Sequence, residues 1–279
     1  MAVNIVLTNQ KGGVGKTTTA ASLAAGLVME GKRVLALDLD PQGNLGFSLG
    51  LNADAEGTIY DLMKGNVDIR EIICPTEYGD IIPSDITLSA GVKEFYEKGR
   101  ESLLKEALSD IGDEYDYIII DTPPALNILT INAYVASDYI IVPMSSEILS
   151  LVGLTQLKET VDSVRLSLNP QIRILGILLT KFNSRTRLAN EVKEMAESVA
   201  LQMDTALFDN KIRNSVHKLL KALVFLQVLT IHRCESCGCV LHRLKPVRTY
   251  GALNRALLRF YMLLTMPRFQ RNLHPELPL

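Results

Sequence analysis

A glycine-rich segment directly follows the first apolar run of the chain. Residues 2–7 read AVNIVL, and residues 9–19 read NQKGGVGKTTT. This order predicts a β-strand, a tight turn and a helix, with glycines where a Cβ would block the turn or the approach of a ligand to the backbone. A helix that begins at Lys16 adds its positive end to the converging backbone N–H groups. The segment therefore predicts a phosphate-binding loop.

The side chains of this loop have separate predicted roles. We expect Lys16 to reach the β- and γ-phosphates of a nucleotide and the Thr17 hydroxyl to ligate Mg²⁺. Lys11, just before the glycines, is a second lysine that ordinary loops of this kind do not need. The predicted nucleotide-binding residues are Lys11, Gly12, Gly13, Val14, Gly15, Lys16, Thr17 and Thr18.

Carboxylates follow two further predicted strands. A strand over 33–37 runs into DLDPQGN at 38–44, and a strand over 117–120 runs into Asp121. Because the carboxyl ends of parallel strands meet at one edge of a sheet, we expect Asp40 and Asp121 beside the phosphate loop. Asp121 is predicted to hold the metal through water and Asp40 to position the attacking water. The predicted catalytic residues are Lys11, Lys16, Asp40 and Asp121, and the predicted metal ligands are Thr17, Asp40 and Asp121.

Strand and helix patterns alternate along the body of the chain. Each predicted strand is apolar on both faces and is followed by a predicted helix, which is typical of a doubly wound, mostly parallel α/β sheet flanked by helices. Gly31 is expected to end the first helix. The strands are predicted near 2–8, 33–38, 117–121, 139–143 and 173–180, and the helices near 16–29, 100–109, 153–167 and 188–201.

Five segments carry more specific sequence than the fold requires. They are NQKGGVGKTTT at 9–19, DLDPQGN at 38–44, IIIDTPP at 118–124, LTINAYVASDYIIVP at 129–143 and LLTKFNSRTRLANEV at 178–192. Together they resemble the ParA (Soj-like) family of partition ATPases, a deviant Walker A family of P-loop proteins related to MinD. The resemblance covers about residues 1–216, which we interpret as one ATPase domain.

The resemblance implies a function and a set of partners. It implies an ATPase that requires Mg²⁺, is slow without its partner, and forms a homodimer in which the lysine matching Lys11 touches the nucleotide of the other subunit. It also implies binding to nonspecific double-stranded DNA, stimulation by a centromere-binding partition protein, and transport of a plasmid or chromosome. The arginines matched to DNA contact are Arg185, Arg187 and Arg213, although spacing alone favours solvated residues that cap a loop.

Two functions from other classes stay open from the sequence. A MinD-like membrane-cycling regulator would share the loop and Lys11, and an iron-protein-like reductase would need paired cysteines, whereas residues 1–216 contain Cys74 alone. The N-terminus lacks the pattern of a secretory signal, and no apolar run approaches the ~20 residues of a membrane span. We therefore expect a cytoplasmic, nucleoid-associated protein without a membrane partner.

The last part of the chain, residues 217–279, departs from the family pattern. Residues 1–211 hold 18 basic and 29 acidic residues, a net charge of −11, whereas residues 212–279 hold 11 basic and 2 acidic residues, a net charge of +9. A shifted or fused reading frame, which would leave a tail without a native fold, is one interpretation. A metal site and a basic amphipathic membrane-binding helix over 252–264 are two others. The candidate metal ligands are His232, Cys234, Cys237, Cys239 and His242.

Overall fold

The chain divides into two compact units. They comprise Met1–Ser215 and Val216–Leu279. The computed structural model describes residues 1–51, 55–92, 94–96 and 99–213, and the backbone alone of Ile231–Arg233 and Val240–His242. The proposed domain boundary after residue 216 stays a prediction.

A seven-stranded sheet forms the centre of the first unit. Its order is β3-β4-β2-β5-β1-β6-β7, and every neighbouring pair is parallel except β3 with β4. The predicted doubly wound, mostly parallel sheet is confirmed. The strands are β1 (Val3–Leu7), β2 (Val34–Asp38), β3 (Cys74–Thr76), β4 (Gly79–Ile82), β5 (Tyr117–Asp121), β6 (Tyr139–Ser145) and β7 (Arg173–Thr180). In the second unit, β8 (Ile231–Arg233) pairs antiparallel with β9 (Val240–His242).

Helices flank the sheet, and the four that the sequence predicts lie close to their expected positions. Gly31 has a φ of 78° directly after Glu30, the C-cap of the first helix, as predicted for a residue that ends a helix. The helices are α1 (Lys16–Met29), α2 (Asn44–Ser48), α3 (Ile59–Lys64), α4 (Thr87–Gly91), α5 (Leu103–Ser109), α6 (Ile128–Val135), α7 (Leu149–Ser167) and α8 (Arg187–Gln202). Two short 3₁₀ helices span Ile69–Ile72 and Glu94–Tyr96.

The sheet is buried on both faces because helices cover both. α1 packs against β1, β2 and β5, and its buried side chains are mostly alanine and leucine, whose small size and unbranched Cβ allow close approach. All five residues of β2 are buried. The carboxyl ends of β1, β2, β5, β6 and β7 therefore converge on one edge, from which the loops that carry the candidate residues emerge.

The segment after α8 returns to the outer edge of the sheet. Ile177 donates its N–H to the carbonyl of Ala206 at 2.9 Å, and Ile212 donates to the carbonyl of Leu179 at 2.8 Å. Isolated parallel bridges join Ile177 to Leu207 and Phe182 to Arg213. Residues 206–213 thus run beside β7.

Candidate nucleotide site

The turn between β1 and α1 has the backbone expected of a phosphate-binding loop. Gly13 (φ 70°) and Gly15 (φ 91°) adopt left-handed conformations that favour glycine. Thr180 at the end of β7 donates from Oγ1 to the carbonyl of Val14 at 2.7 Å, which fastens the loop to the sheet. The exposed Gly12 has open space where a Cβ would stand. The loop leads into the N-terminus of α1, where the helix dipole favours an anion.

Lys16 lies folded over this loop. Only 6% of the residue is exposed, and its Nζ donates to the carbonyl of Lys11 at 3.4 Å. Burial lowers the pKa of Lys16, and the charges of Asp121 and Asp40 oppose that shift. Lys16, Asp40 and Asp121 therefore lie within electrostatic reach of one another, as the motif order predicts.

Asp121 is the most constrained carboxylate of the site. The residue is fully buried at the end of β5, and neither of its carboxylate oxygens makes a hydrogen bond of normal geometry with the described residues. Burial raises its pKa well above the usual range, and the charge of Asp38 adds to the shift. The hydroxyl of Thr17 and the ammonium of Lys16 favour the charged form. A buried carboxylate whose oxygens accept no hydrogen bond of normal geometry fits a site that takes a cation.

Asp38 organises the loop that carries Asp40. Its two carboxylate oxygens accept the N–H groups of Asp40 at 3.0 Å and Leu45 at 2.9 Å. Asp38 lies opposite Asp121 in the register of β2 with β5, and burial raises its pKa to about 7. The half-buried Asp40 accepts the N–H of Gln42 at 3.0 Å. The sequence places Asp38 in the motif, but its role in shaping the loop becomes visible only in the structure.

The side-chain oxygens at this site fit Mg²⁺ bound to a nucleotide better than a metal ion held by protein side chains alone. Among the described residues, no group of three or more histidine, cysteine or acidic side chains is placed to hold a metal ion. Mg²⁺ in nucleotide sites takes one or two protein oxygens and completes its shell with phosphate and water. The unpaired Asp121 and the half-buried Thr17 in the first turn of α1 match that pattern, with the exposed Thr18 beside them.

Lys11 contacts its own chain in this structure. Its Nζ forms an ion pair with Glu147 and donates to Ser150 Oγ at 3.3 Å. The N–H of Lys11 donates to Asn9 Oδ1 at 2.9 Å, and Asn9 Nδ2 donates to the carbonyl of Pro143 at 2.8 Å. Asn9 and Glu147 were not predicted as site residues. Their contacts link segments far apart in sequence, which local patterns do not show.

The three candidate DNA-contact arginines lie near one edge. The N–H of Arg185 donates to Asn183 Oδ1 at 3.1 Å, within the turn after β7. Arg213 is joined to this turn through its bridge with Phe182. Arg187 is 93% exposed and forms an ion pair with Glu191 at 2.7 Å. The fold thus brings the distant Arg213 beside the turn, while the Arg187 guanidinium already has an acidic neighbour.

The predictions for the tail lie outside the described side chains. These are the histidine and cysteine metal site, the amphipathic helix over 252–264 and the shifted reading frame. In the described part of the chain, no helix combines the length and apolarity needed to cross a membrane.

Known proteins similar to this chain show its family. The AAA domain family matches residues 2–174. The chromosome partitioning protein ParA of Myxococcus xanthus is 39% identical over 259 residues, which cover 91% of this chain and 87% of that protein. Residues 1–216 alone cannot fill that share, so the alignment continues into the tail. The sporulation initiation inhibitor protein Soj of Bacillus subtilis is 47% identical over 68% of this chain and 77% of that protein.

A solved structure is similar over almost the same extent. Cobyrinic acid a,c-diamide synthase from Mycobacterium smegmatis, with bound ADP and magnesium, has a TM-score of 0.77 and 33% identity. The match covers 88% of this chain and 100% of that chain. The phosphate loop, the paired carboxylates at the ends of β2 and β5, and the similarity to ParA and Soj along most of the sequence lead to one conclusion. The chain belongs to the ParA/Soj family of partition ATPases.

Proposed function

We propose that this protein is a Mg²⁺- and ATP-dependent switch that dimerises in its ATP state and carries a plasmid or chromosome. The observation that supports this proposal best is the buried, unpaired carboxylate of Asp121 beside Thr17 and Lys16. A carboxylate in that position is stabilised when a divalent cation bound to a nucleotide approaches it. The ADP and magnesium in the Mycobacterium smegmatis structure support the same ligands here.

Each residue of the site has a proposed role in hydrolysis. Lys16 and the backbone N–H groups of the loop would hold the phosphates. Thr17, together with Asp121 acting through water, would hold Mg²⁺, and the metal would supply positive charge to the phosphate oxygens. Asp40 aligns the attacking water. Lys11 contributes its charge to the nucleotide of a second subunit. Hydrolysis is slow until a partition protein bound to a centromere-like site contacts the dimer.

DNA binding is proposed for the edge formed by Arg185 and Arg213. Arg185 lies in an exposed turn, and the bridge between Phe182 and Arg213 brings the second arginine close to it. Arginines on a turn contact phosphates rather than base edges, so binding would be independent of sequence and sensitive to salt. Such a protein would lie on the nucleoid in the cytoplasm.

The substitution Asp40→Ala tests the switch. It removes the group that aligns water and leaves the contacts to phosphate and metal, so we expect full-length protein to form an ATP dimer that persists and retains duplex DNA. Light scattering with ATP and Mg²⁺, followed by a DNA mobility assay, measures both properties. Lys11→Ala is the matched control and should remain monomeric. An Asp40→Ala protein that binds ATP but does not dimerise would refute the proposed role.

A further inference from the structure

The turn after β6 places the carboxylate of Glu147 against Lys11, the lysine that would contact the nucleotide of a second subunit in the proposed dimer. Glu147 lies between β6 and α7, and its carboxylate forms an ion pair with Lys11 of the same chain. The side chains of Lys11 and Glu147 are 33% and 57% exposed. Because both side chains are partly accessible to solvent, the ion pair can open without disrupting the core.

The buried Ser150, which is itself in contact with the buried Ser145, holds the other side of Lys11. Ser150 Oγ accepts from Lys11 Nζ at 3.3 Å and lies 2.9 Å from Ser145 Oγ. Both serines are almost completely buried, at 1% and 2% exposure. The backbone fixes Glu147 between them, because Glu147 N–H donates to the Ser145 carbonyl at 2.8 Å and Ser150 N–H donates to the Glu147 carbonyl at 2.9 Å. Lys11 thus occupies a defined position on its own subunit.

The charge of a second lysine, Lys181, also acts on the Glu147 carboxylate. Lys181 directly follows β7 and has a φ of 52°, an uncommon left-handed conformation for a residue with a Cβ. Its Nζ lies 3.9 Å from the position that a Cβ on Gly13 would occupy. Lys11 lowers the pKa of Glu147 most, and Lys181 lowers it further. The charge of Lys181 therefore acts on Glu147 from the glycine loop side, although Lys11 holds the ion pair in this structure.

We propose that Glu147 holds Lys11 in the monomer and exchanges it for Lys181 when Lys11 crosses to the nucleotide of a second subunit. This inference rests on the proposed dimer. The ion pair between Glu147 and Lys11 is called the Glu147 latch. The latch opposes dimerisation, since each subunit must open it, and Lys181 offsets only a part of this loss by giving the carboxylate a new cation.

Dimerisation of full-length protein in ATP and Mg²⁺ tests the latch. Glu147→Gln removes the charge that holds Lys11, so the dimer dissociation constant should fall by about 2- to 30-fold, because two exposed ion pairs no longer need to open per dimer. Glu159→Gln, an exposed glutamate of α7, is the matched control and should change nothing. An unchanged or weakened dimer in Glu147→Gln overturns the proposal.

A double-mutant cycle tests the exchange of partners. Lys181→Met should raise the dissociation constant in the native background, because Glu147 is then left without a cation after Lys11 leaves. The same substitution should have no effect when combined with Glu147→Gln. An equal effect in both backgrounds would show that Lys181 acts on the dimer by another route, and would overturn the exchange.

Reactivity of Lys11 gives a readout that does not need the dimer. An amine-acylating reagent should modify Lys11 several-fold faster in nucleotide-free Glu147→Gln than in the native protein, with Lys32 as the internal reference in mass spectrometry. If the native protein dimerises in ATP but Lys11 is acylated at the same rate in Glu147→Gln as in the native protein, the latch alone is overturned. A native protein that stays monomeric in ATP overturns the latch together with the proposed function.

Discussion

Replacing Asp121 with asparagine should stabilise the nucleotide-free protein. Asp121 is fully buried, its oxygens accept no hydrogen bond of normal geometry from the described residues, and it lies opposite Asp38, a second buried carboxyl. Both conditions disfavour the charged form. An asparagine has almost the same shape, carries no charge, and can donate its amide to the Asp38 carboxylate. The native aspartate is thus retained at the expense of stability.

The scale of the effect follows from the neighbouring carboxyl. Burial raises the pKa of Asp38 from 3.8 to about 7. Once the solution pH exceeds that value, this shift corresponds to a decrease of about 4 kcal/mol in the free energy of unfolding. Removing the charge at Asp121 should increase the free energy of unfolding by a part of this amount, about 1–3 kcal/mol. For a protein of this size the melting temperature should rise by about 3–10 °C.

The gain should depend on pH in a definite direction. A carboxyl whose folded pKa is raised binds its proton more tightly in the folded state, so the native protein loses stability as pH rises above the unfolded pKa near 4. The advantage of Asp121→Asn should therefore be small at pH 5 and larger at pH 8. Thermal melts of nucleotide-free full-length protein in a chelator measure both values.

A control and a second ligand state complete the test. Asp113→Asn removes a carboxylate that is 90% exposed, and should shift the melt little at either pH. Mg²⁺ and ATP should stabilise the native protein by mass action, and should stabilise Asp121→Asn much less. A melting temperature that falls in Asp121→Asn at pH 8, or a gain that is equal at both pH values, would refute the electrostatic argument.

Three other substitutions have defined expectations. Lys16→Ala should abolish ATP binding in a nucleotide titration, because it removes the buried ammonium beside the loop, and retained affinity would contradict its role. Arg185→Ala should weaken duplex DNA binding in ATP by a similar factor for every sequence and reduce the salt slope by about one, measured by anisotropy over a salt series. Thr180→Val should destabilise the fold by about 1–3 kcal/mol in a urea titration and weaken nucleotide binding, since the Val14 carbonyl loses its hydroxyl donor.

Most of the sheet could be predicted because its five main strands, of five to eight residues, are apolar and most are followed by helices. The hairpin of β3 and β4 was not predicted, since β3 contains a proline and spans three residues, too few to show alternation. The short helices α2 and α4 have five residues each and lack a full period of apolar positions. Local patterns need about two turns or several alternations before they indicate a structure.

The site residues that could be predicted are those that come directly after a predicted strand. Lys16, Asp40 and Asp121 lie in the segments after, or at the end of, the predicted strands β1, β2 and β5, and parallel topology then places them together. Glu147 could not be assigned from its neighbours, because its partner Lys11 precedes it by 136 residues. Asp38 was visible in the motif, but its two backbone donors depend on how residues 40–45 turn back over the strand.

Residues 206–213 protect the edge of the sheet at β7. Without them, β7 would be the outermost strand of the sheet on that side, with a row of free N–H and C=O groups open to strands of other molecules. A chain shortened before residue 206 would therefore expose the apolar sequence ILGILLT of 174–180 as a ready template for aggregation. Protection of this sheet edge thus depends on eight residues, of which Phe208 is buried in the core.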